Sequence, residues 1–153
     1  MYRIPVYRVS LVRDSSVPAA ARQVISSPDA ARDVLRSYLA GVDREHFVVL
    51  LVDTKNRIIG INTVSVGSLN ACITHPREVF KPAIVANAAA IIVGHNHPSG
   101  DPTPSREDLA VTTQLVQAGR LLGIEVLDSL IITEEGPWRS LRDTVGHLWP
   151  EGR

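Results

Sequence analysis

The run "AAIIVG", from Ala89 to Gly94, constrains the fold most, because it carries no polar side chain and ends against the polar, proline-rich loop "HNHPSGDPTP". A strand with one wet face alternates apolar and polar residues. A short, wholly apolar run is what a strand covered on both faces requires. Such a strand needs layers on both sides of its sheet, and helical patterns flank the run. Before it, "THPREVFKPAIVANAA" reads as a helix with Thr74 as cap and Pro82 as the site of a kink or break. After it, a helix starts at Ser105, runs through "REDLAVTTQLVQAGRLLG" and stops at Gly123.

The remaining segments fit the same plan. "YRIPVYRVSLVRD" alternates with period two and predicts a first strand, placed at an edge by Pro5. "SSPDAARDVLRSYLAG" has Ser27 as cap, Pro28 at the first helical position, Asp29 in the first turn and Gly41 at its close. "REHFVVLLVDTKNRIIGINTVSVG" predicts two strands joined at Lys55-Asn56. "IEVLDSLIIT" is a further strand and "EEGPW" a turn, and the pattern after Trp138 predicts no element. The expected fold class is α/β, a layered domain with a mixed β-sheet flanked by helices.

Composition narrows the function classes. At 153 residues the chain is long enough for one domain with its own core. Sixteen basic and sixteen acidic residues cancel, so the positive field that drives non-specific nucleic-acid binding is missing. The single cysteine, Cys72, excludes an internal disulfide framework and any CxxC zinc cluster, and its apolar surroundings read as a core thiol. No apolar run suits a bilayer or a signal peptide, so a soluble, cytoplasmic protein is expected.

The chemistry concentrates after the apolar strand. His95 and His97 lie two apart, so in extended chain both imidazoles project to one side while Asn96 projects to the other. Pro98 and Gly100 turn the chain away, and eleven residues after His97 Asp108 falls in the first turn of the next helix. Two neutral imidazoles and a carboxylate, with a fourth position open to water, make a hydrolytic zinc set. Taken alone, H-x-H in a loop is more often solvated polarity, and Ser105 with Asp108 is a cap and a dipole-favoured acid. Their coincidence at a strand end strengthens the ligand reading. The contiguous letters H-N-H do not indicate an HNH nuclease, whose named residues are spread over a ββα unit. A zinc deaminase is excluded by the lack of P-C-x-x-C.

"HNHPSGDPTPSRED" resembles the metal motif of the JAB/MPN (JAMM) metalloproteases: H-x-H, seven residues, then S-x-x-D. More narrowly, "VGHNHPSGDPTPSREDLAVTTQLVQAGRLLGIEVLDSLIIT" is similar to the RadC family, and "HPREVFKPAIVANAAAIIV" and "FVVLLVDTKNRIIG" extend the similarity from about Glu45 to Thr133. The resemblance implies a JAMM and cytidine-deaminase-like layered fold. It also implies Zn²⁺ held by His95, His97 and Asp108, with Glu45 as catalytic general base. The implied activity is that of a zinc-dependent metallopeptidase or isopeptidase-type amide hydrolase acting through a metal-activated water. Glu45 directly precedes the apolar strand "FVVLLV", a position at a strand end where sites of layered α/β domains lie. Glu78 is its competitor, but its spacing suits an exposed first helical turn. His46 and His75 read as a strand residue and a helix-start residue.

Ser105 is expected to donate a hydrogen bond to the developing oxyanion, a role that competes with capping its helix. Asn96 is expected to brace the loop, with Ser99 and Asp101 orienting it. Longer RadC proteins carry an N-terminal helix-hairpin-helix region. With a first strand at Tyr2 and one helix before the hairpin, a single RadC-like JAMM domain over 1–153 is expected, which weakens any direct role in DNA binding or repair. The expected partner is a peptide, isopeptide or small amide. The alternative is a non-catalytic module that binds protein or DNA in a repair or mobile-element context.

Overall fold

The computed structural model describes residues 1–18, 23–67 and 74–151. The expected core thiol Cys72 lies outside the described residues. Among the described residues, four α-helices, α1 (Pro28–Tyr38), α2 (Pro76–Val85), α3 (Arg106–Leu122) and α4 (Leu141–Thr144), accompany five strands, β1 (His46–Val52), β2 (Ile58–Val66), β3 (Ala90–Asn96), β4 (Glu125–Ile132) and β5 (Arg139–Ser140). The sheet order is β2-β1-β3-β4-β5. Only β3 and β4 run parallel; β1 is antiparallel to both of its neighbours and β5 to β4. This is an α/β domain with a mixed sheet, as the apolar run predicts.

The two central strands show why. Every residue of β3 is buried, as is every residue of β1 after His46. Alternation sends Phe47, Val49 and Leu51 of β1, with Ile91 and Val93 of β3, into a core shared with Val79 and Phe80 of α2 and Leu115 and Val116 of α3. Their neighbours Val48, Leu50, Val52 and Ile92 meet Ala31 and Leu35 of α1 on the other face. Gly94 marks the closest approach of that helix, since a Cβ there would lie 2.5 Å from Leu35 Cδ1.

Local signals account for most boundaries. Ser27 caps α1 by accepting from the Ala30 N–H, with Pro28 in the first turn. The β1–β2 turn closes on Asp53, whose Oδ1 accepts the N–H groups of Lys55 and Arg57, and Asn56 takes a positive φ of 57°. α3 begins with a capping box at Ser105 and ends before Gly123, whose φ of 72° is the left-handed conformation that suits glycine.

Three expectations are corrected. "YRIPVYRVSLVRD" forms no strand: residues 1–18 have no regular secondary structure, are exposed and lie outside the sheet. Alternation supplies a face but not a ladder partner, and Pro5 withholds a donor. Among the described residues upstream of α1, the only β-pairing is an isolated bridge from Val24 to Arg57, the residue before β2. Thr74 is not the cap of α2. His75 occupies that position without a side-chain bond, while Thr74 is buried with its hydroxyl against that of Ser65. Pro82 does not break α2 either: the helix runs three residues past it to Val85, with Pro82 itself buried.

The tail that the sequence left unassigned folds onto β4. Asp128, buried, accepts from the Ser129 N–H at 2.7 Å, the Ser140 hydroxyl at 2.6 Å and the Arg142 N–H at 3.1 Å, which seats β5 and α4. Trp149, buried, donates from Nε1 to the Val126 carbonyl at 2.7 Å. No helix among the described residues is long and apolar enough to cross a membrane.

Candidate metal centre

In a parallel strand pair with a helical crossover, the space beyond the C-terminal strand ends is open to ligands, because the helix start and the loop converge there. β3 ends at that position. His95 is its penultimate residue, opposite Ile131 of β4, and the His97 N–H extends the ladder by donating to the Ile132 carbonyl at 2.9 Å. α3 then brings Asp108 back over the same strand end.

His95, His97 and Asp108 meet as their spacing predicts. His95 and Asp108 are buried, His97 less so. The two Nε2 atoms stand 3.0 Å apart; His95 Nε2 is 3.2 Å from one Asp108 oxygen, and His97 Nε2 is 3.2 Å from the other. One donor atom from each of the three lies within 4.8 Å of the others. Donors on a tetrahedral zinc shell at roughly 2.0–2.1 Å are about 3.3 Å apart, so the set fits such an ion with little movement. The donor chemistry agrees, because facing imidazole lone pairs this close repel unless a cation or proton lies between them.

The surroundings fix the ligand atoms. His97 Nδ1 lies 2.8 Å from the Asp101 carbonyl, which calls for the Nδ1–H tautomer and leaves the Nε2 lone pair free to coordinate. Asp101 therefore orients the site as expected, but through its backbone oxygen. Its side chain accepts from the Thr103 N–H, and Ser99 Oγ accepts from the Asp101 N–H at 3.3 Å, so both stiffen the loop. Phe47 stacks on the His95 ring at 5.9 Å between centroids and 13° between planes. His95 Nδ1 is buried without a hydrogen-bond partner among the described residues.

The hydrogen bond that His97 donates to Asp108 raises the His97 pKa above the ordinary imidazole value, against burial, and the Glu45 carboxylate adds a smaller raising effect. Burial pushes the Asp108 carboxyl up, but hydrogen bonds from both imidazoles outweigh it and hold the group well below the usual carboxylate range. Asp108 is thus held in its charged form. Its Oδ2 also accepts from the Ser105 N–H at 2.8 Å, while Ser105 Oγ accepts from the Asp108 N–H at 3.1 Å. The cap expected as a rival role for Ser105 is therefore present. It uses a lone pair of the hydroxyl and leaves its proton available for donation.

Glu45 is the residue immediately before β1. Phe47, two residues on, pairs with His95 in the last pair of the β1–β3 ladder. The Glu45 carboxylate is near enough to His97 to act on its charge. Glu45 is half-buried, and its carbonyl accepts from the Gly67 N–H at 2.8 Å. Glu78 stays out of this group; it is an exposed first-turn residue of α2 bound to Lys81 at 3.0 Å. His46 starts β1 with Nδ1 against the Arg44 carbonyl, and His75 sits at the cap position of α2. The stacking of Phe47 on His95 was missed in the sequence, since it depends on which residue of β1 faces which of β3.

The chain matches the family model described as "RadC-like JAB domain" over residues 25–146. It is 54% identical over 123 residues to a UPF0758 protein of Moorella thermoacetica, covering 80% of this chain and 53% of that one. A UPF0758 protein of Rubrobacter xylanophilus is 51% identical over 127 residues, 83% of this chain and 54% of its own. One from Desulforamulus reducens is 48% identical over 120 residues, 78% and 53% respectively. The chain thus spans about half the length of the curated relatives it matches. With a mixed sheet carrying an H-x-H strand end and an S-x-x-D helix start, the chain belongs to the RadC-like JAB domain family.

Proposed function

We propose that this domain is a zinc-dependent amide hydrolase, of metallopeptidase or isopeptidase type. The observation that carries the reading is the convergence of His95 Nε2, His97 Nε2 and the Asp108 carboxylate at one strand end, with Glu45 just before β1, the strand that pairs with β3. When bound there, zinc would supply Lewis acidity toward water and a substrate carbonyl. The protein's own groups have separable roles. His95, His97 and Asp108 hold the ion, with Asp108 contributing the one negative charge. Glu45 accepts a proton from the attacking water and returns it to the leaving amine, a task suited to a half-buried glutamate whose charge acts on His97. Ser105 donates its hydroxyl proton to the oxygen on which negative charge develops.

The test is zinc content after purification without chelator, followed by turnover of isopeptide-linked and peptide amide substrates. Wild type and Glu45→Gln are expected to retain zinc, and His97→Ala to lose it. Glu45→Gln is expected to lose turnover by roughly 10²–10⁴-fold, the range of a lost general base. Zinc in wild type no higher than in His97→Ala would overturn the metal reading. Full turnover in Glu45→Gln would overturn the role of Glu45.

A further inference from the structure

We infer that Asn96 is a positioning residue for Glu45: its carboxamide clamps the backbone on both sides of that glutamate. This rests on the reading of Glu45 as the base. Asn96 Nδ2 donates to the Arg44 carbonyl at 3.0 Å, and Asn96 Oδ1 accepts from the His46 N–H at 2.7 Å. Only one orientation of the amide satisfies both partners, because one is an acceptor and the other a donor. The two groups it holds belong to the residues immediately before and after Glu45.

The geometry explains why a side chain performs this task. The backbone ladder between β1 and β3 ends at the pair Phe47 and His95. Beyond it, β3 turns into the ligand loop, and Glu45 precedes the first residue of β1. A carboxamide offers one donor and one acceptor, the same pair a residue of an adjacent strand would present. On the opposite side the Gly67 N–H binds the Glu45 carbonyl. The backbone at Glu45 is therefore fixed from β2 and from β3 together. Asn96 lies between His95 and His97, so the same short segment that supplies two ligands also sets the base. Because alternation turns it to the opposite sheet face, Asn96 does this without entering the donor set. The brace expected for its own loop in fact reaches across to β1.

The experiment uses the full chain loaded with cobalt(II), and compares wild type, Glu45→Gln, Asn96→Ala, the near-isosteric Asn96→Asp and the double variant Glu45→Gln/Asn96→Ala. Three quantities are read: cobalt affinity, the pH midpoint of the visible cobalt band, and hydrogen exchange at the His46 amide. Asn96→Ala is expected to keep cobalt affinity within about threefold, since no ligand is removed, and to exchange the His46 amide about tenfold faster. Its pH midpoint is expected to move in the direction that Glu45→Gln moves it, with the double variant adding nothing beyond Glu45→Gln alone. Asn96→Asp keeps the acceptor but sets an oxygen against the Arg44 carbonyl, and should shift likewise, providing the test if Asn96→Ala does not fold. The inference is overturned if Glu45→Gln moves the midpoint and neither Asn96 variant does. Loss of cobalt from both Asn96 variants would also overturn it, because Asn96 would then be supporting the ligands. Failure of the underlying reading looks different: wild type would take up no cobalt, or Glu45→Gln would leave the midpoint in place, and the inference would fall with it.

Discussion

Zinc should raise the melting temperature of this protein through three named side chains. A ligand that binds only the folded state stabilises it by about 2.7 kcal/mol at a free concentration of a hundred times its Kd. At about 2.1 cal/mol/K of unfolding entropy per residue, a chain of this length gains roughly 8 °C from that. The donor atoms already stand 3.0 to 3.2 Å apart, so little reorganisation offsets the gain. The assay is differential scanning calorimetry of chelator-treated protein with buffered zinc at pH 7.5. His97→Ala and Asp108→Asn should lose most of the shift, since each removes one of three donors. His46→Ala and His75→Ala should keep it, because neither imidazole belongs to the group within 4.8 Å. The reasoning would be refuted if the His46 and His75 variants lost the shift while the His97 variant kept it. It would equally fail if zinc produced no shift in wild type.

Other expectations follow from particular contacts. The His97 pKa is raised in the fold, so its stabilising contribution to metal-free protein is complete below the unfolded value and is lost as pH rises through the folded one. The margin of metal-free wild type over His97→Ala should therefore shrink as pH rises above the ordinary imidazole value, while zinc affinity grows as that proton is lost; pH-resolved melting and zinc competition test the two signs. Ser105→Ala removes the cap of α3 and should cost about 1 kcal/mol in urea unfolding. If its hydroxyl also serves the oxyanion, kcat should fall by roughly 10²–10³-fold, far more than the stability loss explains. Gly119→Ala sets a Cβ 2.4 Å from the Ile124 carbonyl oxygen, a backbone atom, whereas at Gly94 the near atom is the end of the Leu35 side chain. Denaturant midpoints should place Gly119→Ala lower, by about 1–3 kcal/mol relative to wild type. Deletion of residues 2–18, exposed throughout, should leave the melting temperature within about 2 °C.

The sequence by itself determined the elements whose signals are local. Ser27 with Pro28, Ser105 with Gly123, and the apolar runs at β1 and β3 each specify a boundary or a burial state through bonds and faces contained in a few residues. The ligand set was legible for the same reason. Period two puts His95 and His97 on one side of a strand, and a helix start returns Asp108 to that strand's end. Where a partner distant in sequence decides the outcome, the pattern was insufficient. "YRIPVYRVSLVRD" alternates as a strand does, yet alternation cannot supply the neighbour whose hydrogen bonds make a strand. Thr74 offered a capping hydroxyl that the fold instead buried against Ser65, and Pro82 was accommodated where α2 packs on the sheet. The tail after Trp138 had no periodicity to read because Asp128 and Val126, on another strand, hold it in place. Tertiary structure alone decided the β1–β3 register, which sets Phe47 against His95 and brings the backbone on either side of Glu45 to Asn96, since strand pairing is set by the whole sheet and not by either strand.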